Sequence, residues 1–246
     1  MTAVTHLWRH PLKSHGREAV TQVVLRAGEA MPWDRVWAVA HEASRADAGT
    51  WSPCANFSRV AKAPSLMAIT ARLDETTERI TLSHPRLPDL AFNPDTEADA
   101  FIQWVSPIVP QDRAMPQRIL RLDGRGYTDS DFASITLCNI ASHRAVEAHM
   151  DRQLSIHRWR GNIWFEHLEP WAEFNWIGRE ITIGGARLRV RERTDRCMAT
   201  AANPDTGQRD ADTLKALDHW GHRDFSVRAE VIEGGPVSVG DAVEVH

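Results

Sequence analysis

The sequence predicts a mainly β protein of the α+β class, with its strands organised as a β-barrel and a few helices inserted between them. Three observations carry that expectation. Apolar residues recur with the two-residue period of strands along most of the chain, Gly, Pro and Asp clusters punctuate those runs, and three stretches have helical spacing. The 246 residues suit one large β-rich domain or two small ones, and they are ample for a buried core.

Val4 to Trp8, Val20 to Leu25 and Val36 to Val39 read as short strands separated by Gly and Pro. Leu66 to Leu73 and Arg79 to Leu82 flank Asp74-Glu75-Thr76-Thr77 and read as a hairpin. Thr96 to Val105 follows Pro94-Asp95, carries Glu97 in its first turn, and is the first helix. The Pro-containing segment Ser106 to Pro116 is a boundary or a crossover. Asn139 to Met150 is the second helix, with Ala141, Ala145 and Ala148 on one face. Thr182-Ile183-Gly184-Gly185-Ala186 is a tight turn between two strands, the second of which alternates as Arg187-Leu188-Arg189-Val190-Arg191. Asp210 to Trp220 is the third helix, with Asp210 as N-cap and Ala211, Leu214 and Leu217 on one face. Ser226 to Ile232 and Val239 to Val245, around Gly234-Gly235-Pro236, form a closing hairpin.

Composition narrows the function classes. Hydrophobic residues are 42% and charged residues 25%, as in ordinary globular proteins, and the net charge of −4 argues against a general nucleic-acid or anionic-membrane binder. Basic residues are nevertheless dense between Arg152 and Arg196, so a local anion site fits within an acidic protein. Met1 to Arg9 lacks the apolar core of a signal peptide, and no run approaches the ~18 apolar residues of a membrane span, so the expectation is a cytoplasmic protein. Cys54, Cys138 and Cys197 are odd in number and widely spaced, which supports neither a disulfide framework nor a zinc or iron–sulfur site. The excess of 10 Trp over 1 Tyr reads as core and surface anchors rather than an aromatic site.

Four places carry chemistry. The run Arg193-Thr194-Asp195-Arg196-Cys197-Met198-Ala199-Thr200, followed by Asn203-Pro204-Asp205-Thr206-Gly207, puts Cys197 between a strand and a turn, beside charged side chains. A cysteine sulfur is a soft ligand and a nucleophile, and guanidinium groups nearby favour its anionic form. The bland alternative is a buried small hydrophobe, which suits Cys54 and Cys138 better than Cys197. Arg158 and Arg160 in Arg158-Trp159-Arg160-Gly161-Asn162-Ile163 point the same way in an extended chain and together can hold a phosphate, although spacing alone favours a solvated basic edge strand. Lys13-Ser14, in a turn bounded by Pro11 and Gly16, offers ammonium, hydroxyl and backbone N–H groups to an anion, without the glycine pattern of a P-loop. Asp34-Arg35 is either a surface pair or a further grip. The 12 His residues show no HExxH and no facial-triad spacing, and no GxSxG elbow occurs.

Taken in order, these motifs resemble a known family. His10-Pro11-Leu12-Lys13-Ser14, Asp34-Arg35-Val36-Trp37, Asp129-Ser130-Asp131-Phe132, Arg158 to Ile163, Trp171 to Ile183, Arg196-Cys197 and Asn203 to Gly207 together resemble MOSC-domain proteins, in which a MOSC N-terminal β-barrel domain precedes the MOSC domain. The resemblance covers nearly the whole chain and implies domains at 1–110 and 111–246. Within the family it is similar to the mitochondrial amidoxime-reducing component and its bacterial counterparts.

That resemblance implies a molybdenum cofactor, a pyranopterin-bound metal, with Cys197 as its protein ligand. It implies that Lys13, Ser14, Arg35, Arg160 and Asn162 help hold the pyranopterin and its phosphate. Arg158 joins them from its pairing with Arg160, and Thr200 is a further contact. Arg196 would favour the thiolate or touch the cofactor. Asp195 stands where relatives commonly carry a small uncharged residue, so it would repel an anionic cofactor unless paired, and it bears on substrate choice. The implied activity is an oxidoreductase that reduces N-hydroxylated compounds, with Cys197, Asp195 and Arg196 at the reacting centre. Some relatives continue into an iron–sulfur ferredoxin domain; the sequence ends at His246 without one, which implies a separate ferredoxin- or cytochrome-like donor. The alternative is a sulfur carrier or a cofactor-delivery protein using Cys197 as persulfide or ligand, and a plain binding module with an inert cysteine is the third reading.

Overall fold

The computed structural model describes residues 2–246. Strands β1 (Ala3–Arg9), β2 (Glu18–Val20), β3 (Gln22–Leu25) and β4 (Trp37–His41) open the chain. They are followed by β5 (Thr70–Asp74), β6 (Arg79–His84), β7 (Leu87–Phe92), helix α1 (Ala98–Val105) and β8 (Pro116–Arg121). The remainder is β9 (Ile135–Asn139), α2 (Ile140–Met150), β10 (Ile163–Glu166), β11 (Glu180–Ile183), β12 (Ala186–Asp195), α3 (Thr213–Asp218), β13 (Asp224–Glu233), β14 (Gly235–Ser238) and β15 (Val243–Val245). The fold is therefore mainly β with a few helices, as the periodicity predicts.

Eight strands form one sheet in the order β15-β11-β12-β13-β9-β10-β1-β2. Thus residues 3–20 lie in the same sheet as strands drawn from 135–245. The sheet curls until its ends meet. Ala3 bridges Ala242, the Val243 N–H donates to the Thr2 carbonyl at 3.0 Å, and β3 pairs with β14. Inside the curl lie Leu7, Leu137, Ile163, Phe165, Ile181, Leu188 and Val227, all 0–1% exposed. The alternation in β12 follows: Leu188 and Val190 face this core, while Arg187, Arg189 and Arg191 face out and pair with Glu233, Glu180 and Glu230. Each exposed pair contributes at most about 1 kcal/mol, so the inward leucine and valine set the register.

A second core joins β4, β5–β7 and α1 through Trp37, Leu66, Ile80, Leu82, Phe92 and Phe101. Phe92 stacks on Phe101 with centroids 5.3 Å apart. Between the two cores run the turns that carry the motif residues.

Several elements differ from expectation. Pro64–Ala68 is a short 3-10 turn whose residues from Ser65 onward are buried, so only Thr70 onward is strand; Pro64 sets the first turn. The run 20–25 breaks at Thr21, and β2 and β3 join different sheets. Helix α1 begins after Glu97, whose carboxylate accepts from the Asn93 N–H at 2.6 Å. In α2, capped by Asn139, the buried face is Ser142, His143 and Val146 rather than the alanines. Helix α3 starts at Thr213, with Asp212 as its cap; Asp210 is committed to arginines instead. The closing hairpin does not form. β13 turns directly into β14, which pairs with β3, while β15 pairs with β11. Gly235 permits this because a Cβ there would fall 2.1 Å from the Gly185 carbonyl oxygen.

Candidate functional site

A cavity of about 370 Å³ is lined by turns and strand ends of the eight-stranded sheet and by the 54–61 segment, within the size range of small-molecule sites. The turn after β1 brings Lys13 and Ser14, the turn leading into β4 brings Arg35, and the 54–61 segment brings Cys54 and Arg59. The 128–136 segment adds Thr128, Asp129, Ser134 and Thr136. The turn before β10 adds Arg158 and Arg160, the end of β12 adds Thr194 to Cys197, and β13 adds Arg228. Lys13, Arg35, Arg59, Arg158, Arg160, Arg196 and Arg228 thus face one space with only Asp129 and Asp195 as lining carboxylates. Such a concentration suits a polyanion.

The backbone is bent to achieve this. Ser14, Arg35 and Arg160 have φ of 66°, 57° and 50°, the left-handed region that favours glycine, and all three line the cavity. Each such residue costs on the order of 1 kcal/mol, which the surrounding contacts must offset. Arg158 and Arg160 are therefore not on an extended strand. Ile156–Trp159 is a 3-10 turn, and the left-handed Arg160 closes it and reverses the chain.

Buried anchors hold these side chains. The Arg35 guanidinium donates to the carboxylate of Asp34, which also accepts from the His10 backbone N–H at 2.7 Å and meets His10 Nδ1 at 3.1 Å. Asp34 is 1% exposed, so it is no surface partner. Burial opposes its charge, but Arg35 and the His10 donors outweigh burial and hold its carboxyl well below the usual carboxylate range. Lys13 donates to Asp129 and, at 2.7 Å, to the Tyr127 carbonyl; burial nevertheless lowers its pKa from the ordinary lysine value. The Arg158 guanidinium donates to Asp210 at 2.5 Å and to the Ala201 carbonyl at 3.1 Å. Among the described residues the Arg160 guanidinium donates only to the Gly16 carbonyl, at 3.3 Å. Burial, with Arg35 beside it, brings the Arg160 pKa down to about 9. An anion in the cavity would relieve that penalty.

The region of Cys197 is framed differently. Cys197 is exposed, beyond the end of β12, and Thr200 Oγ1 donates to its carbonyl at 3.1 Å while contacting Thr213 Oγ1 at 2.6 Å. Thr200 therefore fixes the cysteine turn. Arg196 donates to the Phe225 and Trp159 carbonyls at 2.6–2.9 Å and to Ser226 Oγ at 2.6 Å, and burial lowers its pKa to about 10. It serves chiefly as the floor of the cavity. Asp195, whose side chain is 85% exposed, reaches Arg228 at 3.4 Å, so its charge is partly compensated at the rim.

Asn162 is the motif residue that does not join the lining. It is fully buried, its amide oxygen accepts from the Thr136 N–H at 3.0 Å, and its amide nitrogen donates to the Trp8 carbonyl at 3.1 Å. Both contacts tie neighbouring strands together, and the amide nitrogen also lies 4.0 Å from the Met31 sulfur, so the side chain is turned into the protein. Cys138 is a core residue with its thiol pushed up to about 12 by burial. Cys54 departs from expectation: it is half-buried and lines the cavity. Sequence reasoning also passed over Arg59, Asp129, Thr194 and Arg228. Asp129 lay within a quoted motif, whereas Arg59 and Arg228 carry no local signal and enter only through the fold.

No helix among the described residues is long and apolar enough to cross a membrane. Residues 1–109 match the model of the MOSC N-terminal beta barrel domain, and residues 125–244 match that of the MOSC domain. YuaD protein from Bacillus subtilis is similar in structure, with a TM-score of 0.50 and 15% identity over 100% of this chain and 96% of that one. YiiM from Geobacillus stearothermophilus aligns with a TM-score of 0.35 and 17% identity over 46% of this chain, and the match spans 53% of the YiiM chain. None of the curated proteins matches the chain.

Proposed function

The chain belongs to the MOSC family, whose domain is associated with molybdenum-cofactor binding, and on that footing we propose that it is a molybdenum-cofactor oxidoreductase that reduces N-hydroxylated compounds. The observation that carries the reading is the single cavity in which Cys197 meets Lys13, Ser14, Arg35 and Arg160. These residues fit the group. Among the described residues, half-buried Arg160 has no carboxylate of its own, and the Arg158 Nε and the Thr194 hydroxyl on the same walls are buried without a partner. Cys197 offers the soft donor that the family's metal would take.

In this reading Lys13, Ser14, Arg35 and Arg160 hold the phosphate and pterin, and Arg158 stiffens the wall behind them. Cys197 ligates the metal, and Thr200 fixes its turn. Arg196 and its aromatic neighbours Trp159 and Phe225 exclude water from the floor. When bound, the cofactor would supply the two-electron reduction that removes the substrate hydroxyl as water. Electrons would come from a separate donor protein. Asp195 and Arg228, at the rim, face the substrate side.

Elemental analysis for molybdenum, on protein made in cells that synthesise the cofactor, tests the reading directly. Metal near one per chain, lost in Cys197→Ser, together with reduction of an amidoxime or hydroxylamine, is the expected result. Metal near zero under those conditions overturns it. The exposure of Cys197 also favours a sulfur-carrier reading, which predicts a mass increase of one sulfur atom on Cys197 without bound molybdenum.

A further inference from the structure

Each cation of the cavity can be asked what anion or oxygen already satisfies it. Lys13 has Asp129 and a carbonyl, Arg35 has Asp34, and Arg158 has Asp210. Arg196 is spent on carbonyls and Ser226, and Arg228 on Glu192 and Asp195. Two remain. Arg160 is half-buried, donates to the Gly16 carbonyl beside the Lys13 turn, and faces the family's cofactor in the reading above. Arg59 is half-buried on the opposite strip of chain, and among the described residues it meets no carboxylate and no oxygen acceptor. Its one side-chain contact is Nη1 to the Cys54 sulfur at 3.2 Å, a weak acceptor.

Arg59 also lines an adjoining cavity of about 240 Å³, whose walls include Lys62 and Arg113. Arg113 has Asp112 at 3.5 Å; Lys62 has no carboxylate partner among the described residues. The unsatisfied positive charge therefore continues outward from Arg59 through Lys62. A guanidinium that is half desolvated and lacks a counter-ion is a carboxylate receptor, because the fork of N–H groups matches two oxygens at once.

We propose that Arg59 binds a carboxylate of the substrate, so that the compound reduced is an N-hydroxylated molecule bearing a carboxylate group. The proposal rests on the reductase reading for the chemistry at the other end of the substrate, but the grip of Arg59 on a carboxylate does not. Cys54, by occupying one Nη of Arg59 with only a thiol, leaves the remaining N–H groups to the ligand. The hydroxylated nitrogen would then sit at the Cys197 end of the cavity and the carboxylate at the Arg59–Lys62 end.

The test uses the molybdenum-loaded protein with benzamidoxime and its para-carboxylate, and with the corresponding amidines as non-reacting ligands. The carboxylated amidoxime should have a KM at least ten-fold lower than the uncharged one, and Arg59→Gln should remove that difference by raising the KM of the carboxylated compound. Arg59→Lys should restore part of it, and the difference should shrink with added salt. Equilibrium binding of the two amidines should show the same ten-fold preference and the same loss. Equal binding of both amidines by the native protein overturns the proposal, as does a loss of molybdenum from Arg59→Gln, which would place Arg59 on the cofactor. Absence of reduction with both amidoximes sinks the reductase reading alone, and the amidine binding then decides the role of Arg59.

Discussion

Gly161 separates Arg160, at the cavity, from Asn162, in the sheet, and alanine there should be destabilising in a way that one second substitution repairs. A Cβ on Gly161 would stand 2.2 Å from Cys138 Sγ and 3.3 Å from Trp164 Nε1. Apolar heavy atoms rest at about 3.5–4.0 Å, so the overlap with sulfur is more than 1 Å. Neither neighbour has room to move: Cys138 is 0% and Trp164 1% exposed. Overpacking of this kind costs about 1–3 kcal/mol. Cys138→Ala alone should cost about 1 kcal/mol, for one lost buried heavy atom and a small void. Were the two effects independent, the double variant would lose about 2–4 kcal/mol. Since the clash is with the atom that Cys138→Ala deletes, the double variant should instead match Cys138→Ala, a coupling of about 1–3 kcal/mol. Urea unfolding followed by fluorescence of the 10 Trp residues measures all four corners of the cycle. Additivity within about 0.5 kcal/mol would refute the reasoning, since independent sites behave that way.

Other consequences concern the site and its pH dependence. Asp34→Asn should cost about 3–5 kcal/mol, because it strips Arg35 and His10 of a buried charged partner; equal urea midpoints for variant and parent would contradict this. Asp34's carboxyl is depressed in the folded state, so its contribution is present above the unfolded value of about 3.9 and is lost as pH falls toward the folded one, and the acid limb of stability should flatten in the variant. Burial holds His10 near 3 and His15 near 4, so the stability their neutral rings confer is complete above about pH 6.5 and is lost below it. At pH 5 each ring should have cost about 2 kcal/mol, and a urea midpoint constant between pH 7 and 5 would count against both burials. Asp195→Ser should change stability by less than about 0.5 kcal/mol, as its carboxylate is largely solvated, and a larger shift in melting would mean the pair with Arg228 is stronger than its exposure implies.

Much of the fold was legible because inward and outward residues alternate so clearly. Leu188 and Val190 between arginines announced β12, and Gly184-Gly185 announced the turn before it. Partner choice was not legible. Gly234-Gly235-Pro236 shows where the chain bends, but β14 joins β3 because Gly235 can approach Gly185 and because the sheet curls, both facts of tertiary packing. The site divides along the same line. Lys13, Ser14, Arg35, Arg160 and Cys197 stand in short motifs, and the structure places all of them on one cavity. Asn162 stood in a motif too, yet its amide is consumed by Thr136 and Trp8, a use that no residue type betrays. Arg59 and Arg228 were indistinguishable from surface arginines until the fold set them on the cavity that Cys197 lines. The left-handed backbone of Ser14, Arg35 and Arg160 was equally hidden, since none is a glycine.

The meeting of the two chain ends has a consequence for biosynthesis. β1 sits between β10 and β2 in the eight-stranded sheet, and Ala3 bridges Ala242. At about 5–20 residues per second, the ribosome takes roughly 8–32 s after making β1 to deliver its neighbour β10, and longer to deliver the residues that seal the curl. Throughout that interval Lys13 and Ser14 have no opposing wall, because Cys197 and Arg160 are still unmade or undocked. Although β2 covers one side of the nascent first strand, the side that later pairs with β10 is an open edge over that interval. Both walls of the cavity exist only once residues 158–160, 194–197 and Arg228 have been made and docked beside the first strand, so completing the barrel precedes the binding of any ligand that touches both walls.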